Sequence, residues 1–369
     1  MGAREPLARL RGPRLPAGPP QRIALIKPSA LGDIVHALPV LTGLRLLYPS
    51  ARISWVVNAS YAPLLEGHPH LDGVVPFERG LFRRGCSLWQ MARYLWQWGR
   101  ELRQQQFDLV IDLQGLLRSG LMTWASGAAV RIGFARSREA SVLAYTHRVW
   151  IRSADRLHAV ERYWQVVRVL GGDDLPLRFV VPLRPAERAA ALALWQQLPR
   201  PWLAVAPGAR WLTKRWPAAS FAALINRWHQ HSGGGCLLLG ARDDIPTAHQ
   251  VARHVRGPLL DLTGQTTLRQ LVALIAGCDF FVGNDSGPLH LAAALSKPCL
   301  APYTCTQPRW HGPYTFPHGA VATRVPCAGS YRKRCPSLEC HRQLTAEELW
   351  QHLEQKAQPW LRPSRLPAA

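Results

Sequence analysis

The second half of the chain contains Asp279-Phe280-Phe281-Val282-Gly283-Asn284-Asp285-Ser286-Gly287-Pro288-Leu289-His290-Leu291-Ala292-Ala293-Ala294-Leu295. Residues 279–282 read as the end of a buried strand. Residues 289–295 read as the first turns of a helix, because Ala and Leu are strong helix formers. Between them lie two glycines, an Asn-Asp pair and a serine. A strand, a tight Gly-rich turn and a helix N-terminus together make an anion site, since free backbone N–H groups and the helix dipole point out of the turn. Pro288 suits the first helical position, where its missing N–H costs nothing. The expected occupant is a phosphate-bearing ligand.

The same alternation extends outward from this stretch. Ile23-Ala24-Leu25-Ile26 is a short, uniformly apolar run that reads as a fully buried parallel strand. After the loop Pro28-Ser29-Ala30-Leu31-Gly32-Asp33, residues 34–48 place Ile34, Leu38, Leu41, Leu44 and Leu47 at helical spacing, and Tyr48-Pro49 ends the helix. Further strands are expected at 53–57, 74–77, 109–112 and 131–134, with helices at 61–66, 87–105, 116–125 and 157–170. A turn-rich break follows at 171–176. The second half repeats the pattern, with strands at 203–206, 236–240 and 260–262 and helices at 186–197, 218–231, 245–255, 268–276 and 345–355. Strands alternating with helices predict an α/β fold of two Rossmann-like, doubly wound domains. Two such domains facing each other leave a cleft lined by loops at the strand C-termini. The expected divisions are a disordered basic Pro-rich arm (1–21), domains at 22–180 and 181–355, and a flexible tail (356–369).

Composition narrows the function. The 369 residues suit two domains with a large core each. Lys and Arg number 45 against 23 Asp and Glu, a net charge of +22. That excess implies an anionic partner: nucleic acid, anionic lipid or a phosphorylated substrate. The bland alternative is that it reflects the host's base composition. Almost all of the positive charge is Arg, whose planar fork binds phosphate bidentately. A basic, Trp-rich chain also suits single-stranded nucleic acid, but the Trp residues fall on amphipathic helices, where they read as core or membrane-facing. The helix at 87–105, with Trp89, Trp96, Trp98 and nearby Arg, has the composition of one that lies on anionic lipid. No apolar run approaches the ~20 residues needed to span a bilayer. The N-terminus lacks an apolar signal core, so the expected compartment is the cytoplasm, with reduced thiols.

Two loops carry the candidate chemistry. Asp33 follows the first strand, at or beside a helix N-terminus. Taken alone, it reads best as a helix cap; as a catalytic base it would work by positioning, or regain basicity by burial. Lys214 lies in Pro207-Gly208-Ala209-Arg210-Trp211-Leu212-Thr213-Lys214-Arg215-Trp216-Pro217, after a strand of the second half. Lys and Arg there suit a diphosphate, or form a solvated basic loop. Asp285 would repel a diphosphate, so it caps the turn or accepts hydrogen bonds from sugar hydroxyls. His290, one turn beyond Ser286, is structural or touches the ligand. Cys327, Cys335, Cys340 and His341 form a late cluster. It lacks a Cys-x-x-Cys knuckle, which favours a structural thiol cluster over a metal site.

Three stretches together carry a resemblance. They are Ser29-Ala30-Leu31-Gly32-Asp33-Ile34-Val35-His36-Ala37-Leu38-Pro39, Phe107-Asp108-Leu109-Val110-Ile111-Asp112-Leu113-Gln114-Gly115 and Val282-Gly283-Asn284-Asp285-Ser286-Gly287-Pro288-Leu289-His290. The combination, over roughly residues 22–355, resembles the family nine glycosyltransferases, the ADP-heptose:lipopolysaccharide heptosyltransferases. The resemblance implies a GT-B architecture, with the acceptor on the first domain and the nucleotide-sugar on the second. It implies an inverting transfer in which Asp33 is the general base and Lys214 holds the diphosphate. The amides of Ser286 and Gly287 would share that charge, while Asp285 and His290 match the donor-binding motif. It implies no metal, and no cofactor beyond the nucleotide-sugar substrate. The acceptor would be an anionic glycolipid at the cytoplasmic face of a membrane, met by Arg79, Arg83, Arg84, Arg118 and Arg138, with no role for nucleic acid. The sequence departs from the family at Ala209-Arg210, where hydroxyl residues are usual, and at Ser286, where Thr is common. The sugar and nucleotide therefore stay open. An epimerase, which shares the two-domain architecture, fits the Gly32-Asp33 loop less well.

Overall fold

The structure, a computed structural model, describes residues 7–78 and 87–361. The chain forms two compact units, one ending at Pro182 and the other beginning at Leu183.

The first unit contains β1 (Ala8–Arg11), β2 (Arg22–Ile26), α1 (Leu31–Leu47), β3 (Arg52–Asn58), α2 (Ala62–Leu65), β4 (Gly73–Phe77), α3 (Leu88–Gln104), β5 (Leu109–Asp112), α4 (Leu117–Ala125), β6 (Val130–Phe134), β7 (His147–Ile151) and α5 (Ala159–Val169). Its seven-stranded sheet has the order β1-β7-β6-β5-β2-β3-β4. All neighbours are parallel except β1 and β7. β2 is central, with Ile23 opposite Ile53 and Leu109, and its apolar run is buried on both faces. α1 is buried along its length from Ile34 to Leu44 and packs on α5. A Cβ on Gly43 would lie 2.8 Å from the Trp164 ring, so glycine sets how closely these helices approach. On the other face, Trp98 and Leu102 of α3 join Met122 of α4 over Ile26 and Val110.

The second unit contains α6 (Pro185–Trp195), β8 (Leu203–Ala206), α7 (Ala218–Ser232), β9 (Cys236–Leu238), α8 (Ile245–Ala252), β10 (Leu259–Asp261), α9 (Leu268–Gly277), β11 (Phe280–Gly283), α10 (Gly287–Ala294), β12 (Cys299–Tyr303), α11 (Pro308–His311), β13 (Ala320–Ala322), α12 (Glu339–Gln343) and α13 (Ala346–Leu361). The sheet order is β10-β9-β8-β11-β12-β13, parallel throughout. Trp216, Phe221, Trp228 and Trp350 fill the core beneath α7, α8 and α13. The Trp216 and Phe221 rings meet edge to face at 4.9 Å.

Several expectations need correction. The segment expected to be a disordered arm contributes β1, which pairs with β7 in the register Ala8 to Ile151. Its Arg- and Pro-rich composition masks a four-residue run that an open sheet edge can pair. The last helix runs on to Leu361, into the expected tail. Local sequence pattern does not mark β7, β12 and β13. β12 carries Pro302, which argues against a central strand, yet it lies between β11 and β13. α1 starts at Leu31 rather than Ile34, and Asp33 lies in its first turn, at the N-terminus as expected.

Candidate functional site

Each sheet reverses its strand order at one place. In the first, the chain steps from β2 to β3 and β4 one way, and from β5 to β6 and β7 the other. In the second it steps from β8 to β9 and β10, then from β11 to β12 and β13. Open α/β sheets bind ligands outside the strand C-termini at such switch points. The loops flanking the two switch points begin at Lys27 and Leu113 in one unit, and at Pro207 and Asn284 in the other. They hold the sequence motifs.

In the first unit, Asp33 Oδ2 accepts a hydrogen bond from Ala30 N at 3.1 Å, so the carboxylate closes the first turn of α1. The loop beside it is tied on by Gln114, whose Oε1 accepts from Ser29 N at 3.3 Å. Asp112 is fully buried. It accepts from Gln114 N (2.8 Å), Gly115 N (3.1 Å), Ser119 Oγ (2.7 Å) and Tyr145 OH (2.7 Å), which makes it the fastener of that loop. Beneath both loops lies Lys27, 2% exposed, whose Nζ donates to Tyr163 OH at 2.8 Å and to Leu113 O at 3.2 Å. Burial works against its charge, but Tyr163, Asp33 and Asp112 outweigh that and raise its pKa, so it stays a cation. Arg118 and Arg138 are exposed on the same edge, and Arg138 N donates to Gly115 O at 3.0 Å. Arg79, Arg83 and Arg84 lie outside the described residues.

In the second unit, Asp285 is 4% exposed. Its Oδ2 accepts from Lys214 Nζ and from Thr306 Oγ1, each at 2.6 Å, and its Oδ1 lies 3.4 Å from His290 Nε2. Burial pushes this acid up, but the His290 hydrogen bond and the Lys214 charge hold it well below the usual carboxylate range. Lys214 Nζ also donates to the Asp285 carbonyl at 3.3 Å and lies 4.8 Å from the centroid of the Trp211 ring. The Lys214 loop is fixed from behind. Thr304 Oγ1 and His341 Nε2 both donate to Thr213 O, and Asn284 Oδ1 accepts from Trp216 N at 3.0 Å. A Cβ on Gly208 would fall 2.1 Å from the Asp244 carboxylate, so the start of the loop has room only for glycine. Ser286 precedes α10, and its Oγ is buried without a hydrogen-bond partner among the described residues. The turn therefore brings backbone N–H groups and a Lys ammonium to one edge, with the buried, unused Ser286 hydroxyl behind them, an arrangement suited to a diphosphate.

His341 is spent on Thr213, and among the described residues no group of His, Cys, Asp or Glu is placed to hold a metal. Cys340 is buried, and burial together with nearby Cys327 and Cys335 raises its pKa.

Sequence reasoning missed Lys27, Gln114 and Thr306. A Lys ending an otherwise apolar strand signals a buried cation; Thr306 carries no local signal, because local pattern does not mark β12.

Residues 95–341 match the family described as glycosyltransferase family 9 (heptosyltransferase). Lipopolysaccharide heptosyltransferase 1 of Pseudomonas aeruginosa is 31% identical over 329 residues, 85% of this chain and 87% of its own length. A family 9 glycosyl transferase from Veillonella parvula shares the fold, with a TM-score of 0.78 at 21% identity over 91% of this chain and 96% of its own. The E. coli heptosyltransferase WaaC, solved with ADP-2-deoxy-2-fluoro heptose, has a TM-score of 0.67 at 26% identity over 91% of this chain and 99% of its own. The expected fold class, α/β with two Rossmann-like units of the GT-B type, is the one found. With two thirds of the chain matching the family and a 31% identical relative aligned over 85% of it, the chain belongs to glycosyltransferase family 9, the heptosyltransferases.

Proposed function

We propose that the protein is an inverting heptosyltransferase that moves heptose from ADP-heptose onto the anionic inner core of lipopolysaccharide. The observation that carries the donor side is the Lys214–Asp285 pair beside the N-terminus of α10, at the switch point of the second unit. The relative solved with an ADP-heptose analogue supports the nucleotide and the sugar. Lys214 and the amides of Ser286 and Gly287 neutralise the charge that develops on the leaving diphosphate, the task a divalent cation performs elsewhere. Both Asp285 oxygens already have protein partners, so its part is to hold Lys214, and His290 supports it from the helix. On the acceptor side, Asp33 takes the proton from the attacking hydroxyl as it bonds to the anomeric carbon. Arg118 and Arg138 bind carboxylates or phosphates of the core, and Arg79, Arg83 and Arg84 extend the same role. The reaction uses no cofactor and no metal. The enzyme works in the cytoplasm, peripheral to the membrane that holds its acceptor; nucleic acid has no part.

Thermal stabilisation by a panel of nucleotide-sugars, with and without Asp33→Asn, tests the assignment. ADP-heptose should stabilise both proteins, while transfer to a core acceptor falls by about 10²–10⁴-fold in the variant. Stabilisation by uridine or guanosine donors instead would discard heptose. No response to any donor would overturn the reading.

A further inference from the structure

The first unit carries an exposed aromatic face that neither switch point uses. On α3, Trp98 turns inward and donates Nε1 to Pro76 O at 2.9 Å, but Trp89 and Trp96 are 68% and 65% exposed. On α4, Leu121 and Trp124 are 58% and 68% exposed. The helices are in contact: a Cβ on Gly99 would lie 3.8 Å from Ala125 Cβ. α4 in turn packs on the turn at Ser141–Ala144, where Leu143 is 81% exposed. Apolar groups on three contiguous elements form one patch, of the kind that marks an interaction site.

The charge on this face selects the partner. The Arg93 guanidinium lies 5.6 Å from the Trp89 ring centroid, and that of Arg100 5.7 Å from the Trp96 ring centroid. Arg103 lies one turn further on, and Glu101 is the acidic side chain among them. Indoles with cations directly beside them suit the boundary of a bilayer, where rings sit at headgroup level and guanidinium groups meet lipid phosphates. A second copy of the chain would set Arg93 and Arg100 against like charge. Among the described residues no helix is long and apolar enough to cross a membrane, so attachment here is by a surface.

We propose that the face formed by Trp89, Trp96, Leu121, Trp124 and Leu143, with Arg93 and Arg100, docks on an anionic lipid bilayer. It rests on the reading of the acceptor as a glycolipid. α4 begins just after the Asp112–Gly115 loop that Ser29 and Gln114 tie to the Asp33 loop. Docking there holds the acceptor-side loops at the membrane surface.

The full-length protein is sedimented with phosphatidylglycerol-containing vesicles and with pure phosphatidylcholine vesicles. Binding is expected to the first, with weakening in high salt and a blue shift of Trp emission. Replacing Trp89, Trp96 and Trp124 by Ser should weaken it at least about tenfold. The pair Arg93→Gln and Arg100→Gln should weaken it by about thirtyfold. Leu192→Ser, an exposed apolar position of the second unit, should change nothing. Unchanged binding by the Trp variant, equal binding to both vesicles, or self-association abolished by the same changes would each overturn the proposal. Stabilisation by ADP-heptose and transfer to a delipidated, water-soluble core acceptor should persist in the Trp variant. Their absence in the parent would sink the heptosyltransferase reading and leave the vesicle result to be judged alone.

Discussion

Asp285→Asn removes a charge and keeps the shape of the site. The carboxylate is 4% exposed and accepts from Lys214 and Thr306, with His290 on its other oxygen. An asparagine offers one oxygen to these partners and turns an N–H toward Lys214 or His290, both of which are donors. Breaking one half of a buried pair costs about 3–5 kcal/mol. The Lys214 side chain is 18% exposed and can turn its ammonium to water, so the lower end applies, about 3 kcal/mol. For a unit of this size that lowers Tm by about 6–12 °C. The acid is held below its unfolded-state value, so its contribution is whole well above about pH 4 and is lost progressively as pH falls below about 4 toward the lower folded-state value. Calorimetry on the single variants and on the double variant with Lys214→Met closes a cycle, with an expected coupling of about 2 kcal/mol. Coupling under about 0.5 kcal/mol would refute the reasoning, because it would class the pair with exposed bridges. The Lys214 loop would then owe its place to Thr304, His341 and Asn284.

Two further outcomes are expected. Ser286→Ala should leave Tm within about 1 °C, since its hydroxyl makes no bond among the described residues, while ADP affinity drops by about five- to tenfold; a loss of stability with unchanged affinity would make the hydroxyl structural. His68 is buried, and burial pushes its pKa down to about 4. It is satisfied as the neutral ring, with Nε2 donating to Val180 O and Nδ1 accepting from His70 N. A folded-state value below the unfolded one gives stability that is whole above about pH 6.5 and is lost as pH falls toward 4, about 3 kcal/mol in all. Urea titrations of His68→Gln should lack that slope, and a parent-like slope would assign the acid lability to other groups.

What was legible followed from local pattern. The buried strands β2, β5, β8 and β11 each carry a run of three or more apolar residues, and each is followed by a loop that ends at a helix, with Gly or Asp in the loop or in the helix's first turn. Their sequence alone locates the switch-point loops, although only the strand order shows that these are switch points. What stayed hidden depends on partners distant in sequence. β1 is a strand because β7 offers an edge, and β12 is a strand in spite of Pro302 because β11 and β13 enclose it. Local sequence makes Asp285 a cap or a sugar ligand, since nothing near it shows that Lys214, 71 positions away, closes on its carboxylate. His341 was grouped with cysteines by proximity in the chain, whereas its ring is bonded to Thr213.

The two switch points share one electrostatic plan with the signs exchanged. In the first unit a buried cation, Lys27, lies behind a more exposed acid, Asp33. In the second a buried acid, Asp285, lies behind a more exposed cation, Lys214. In each case the buried charge is satisfied by neutral donors or acceptors: Tyr163 and the Leu113 carbonyl for Lys27, Thr306 for Asp285. That removes the main objection to burying a charge, which is the loss of hydration. Asp285 holds the Lys214 ammonium in one place through a direct ion pair, and the Ala30 amide holds the Asp33 carboxylate. The arrangement suits a transfer in which the acceptor hydroxyl becomes acidic only as its bond to the anomeric carbon forms. The base then needs position more than strength, and the same holds for the cation that meets the leaving diphosphate. For the roles proposed above for Asp33 and Lys214, a fixed carboxylate and a fixed ammonium are the two charges such a reaction requires.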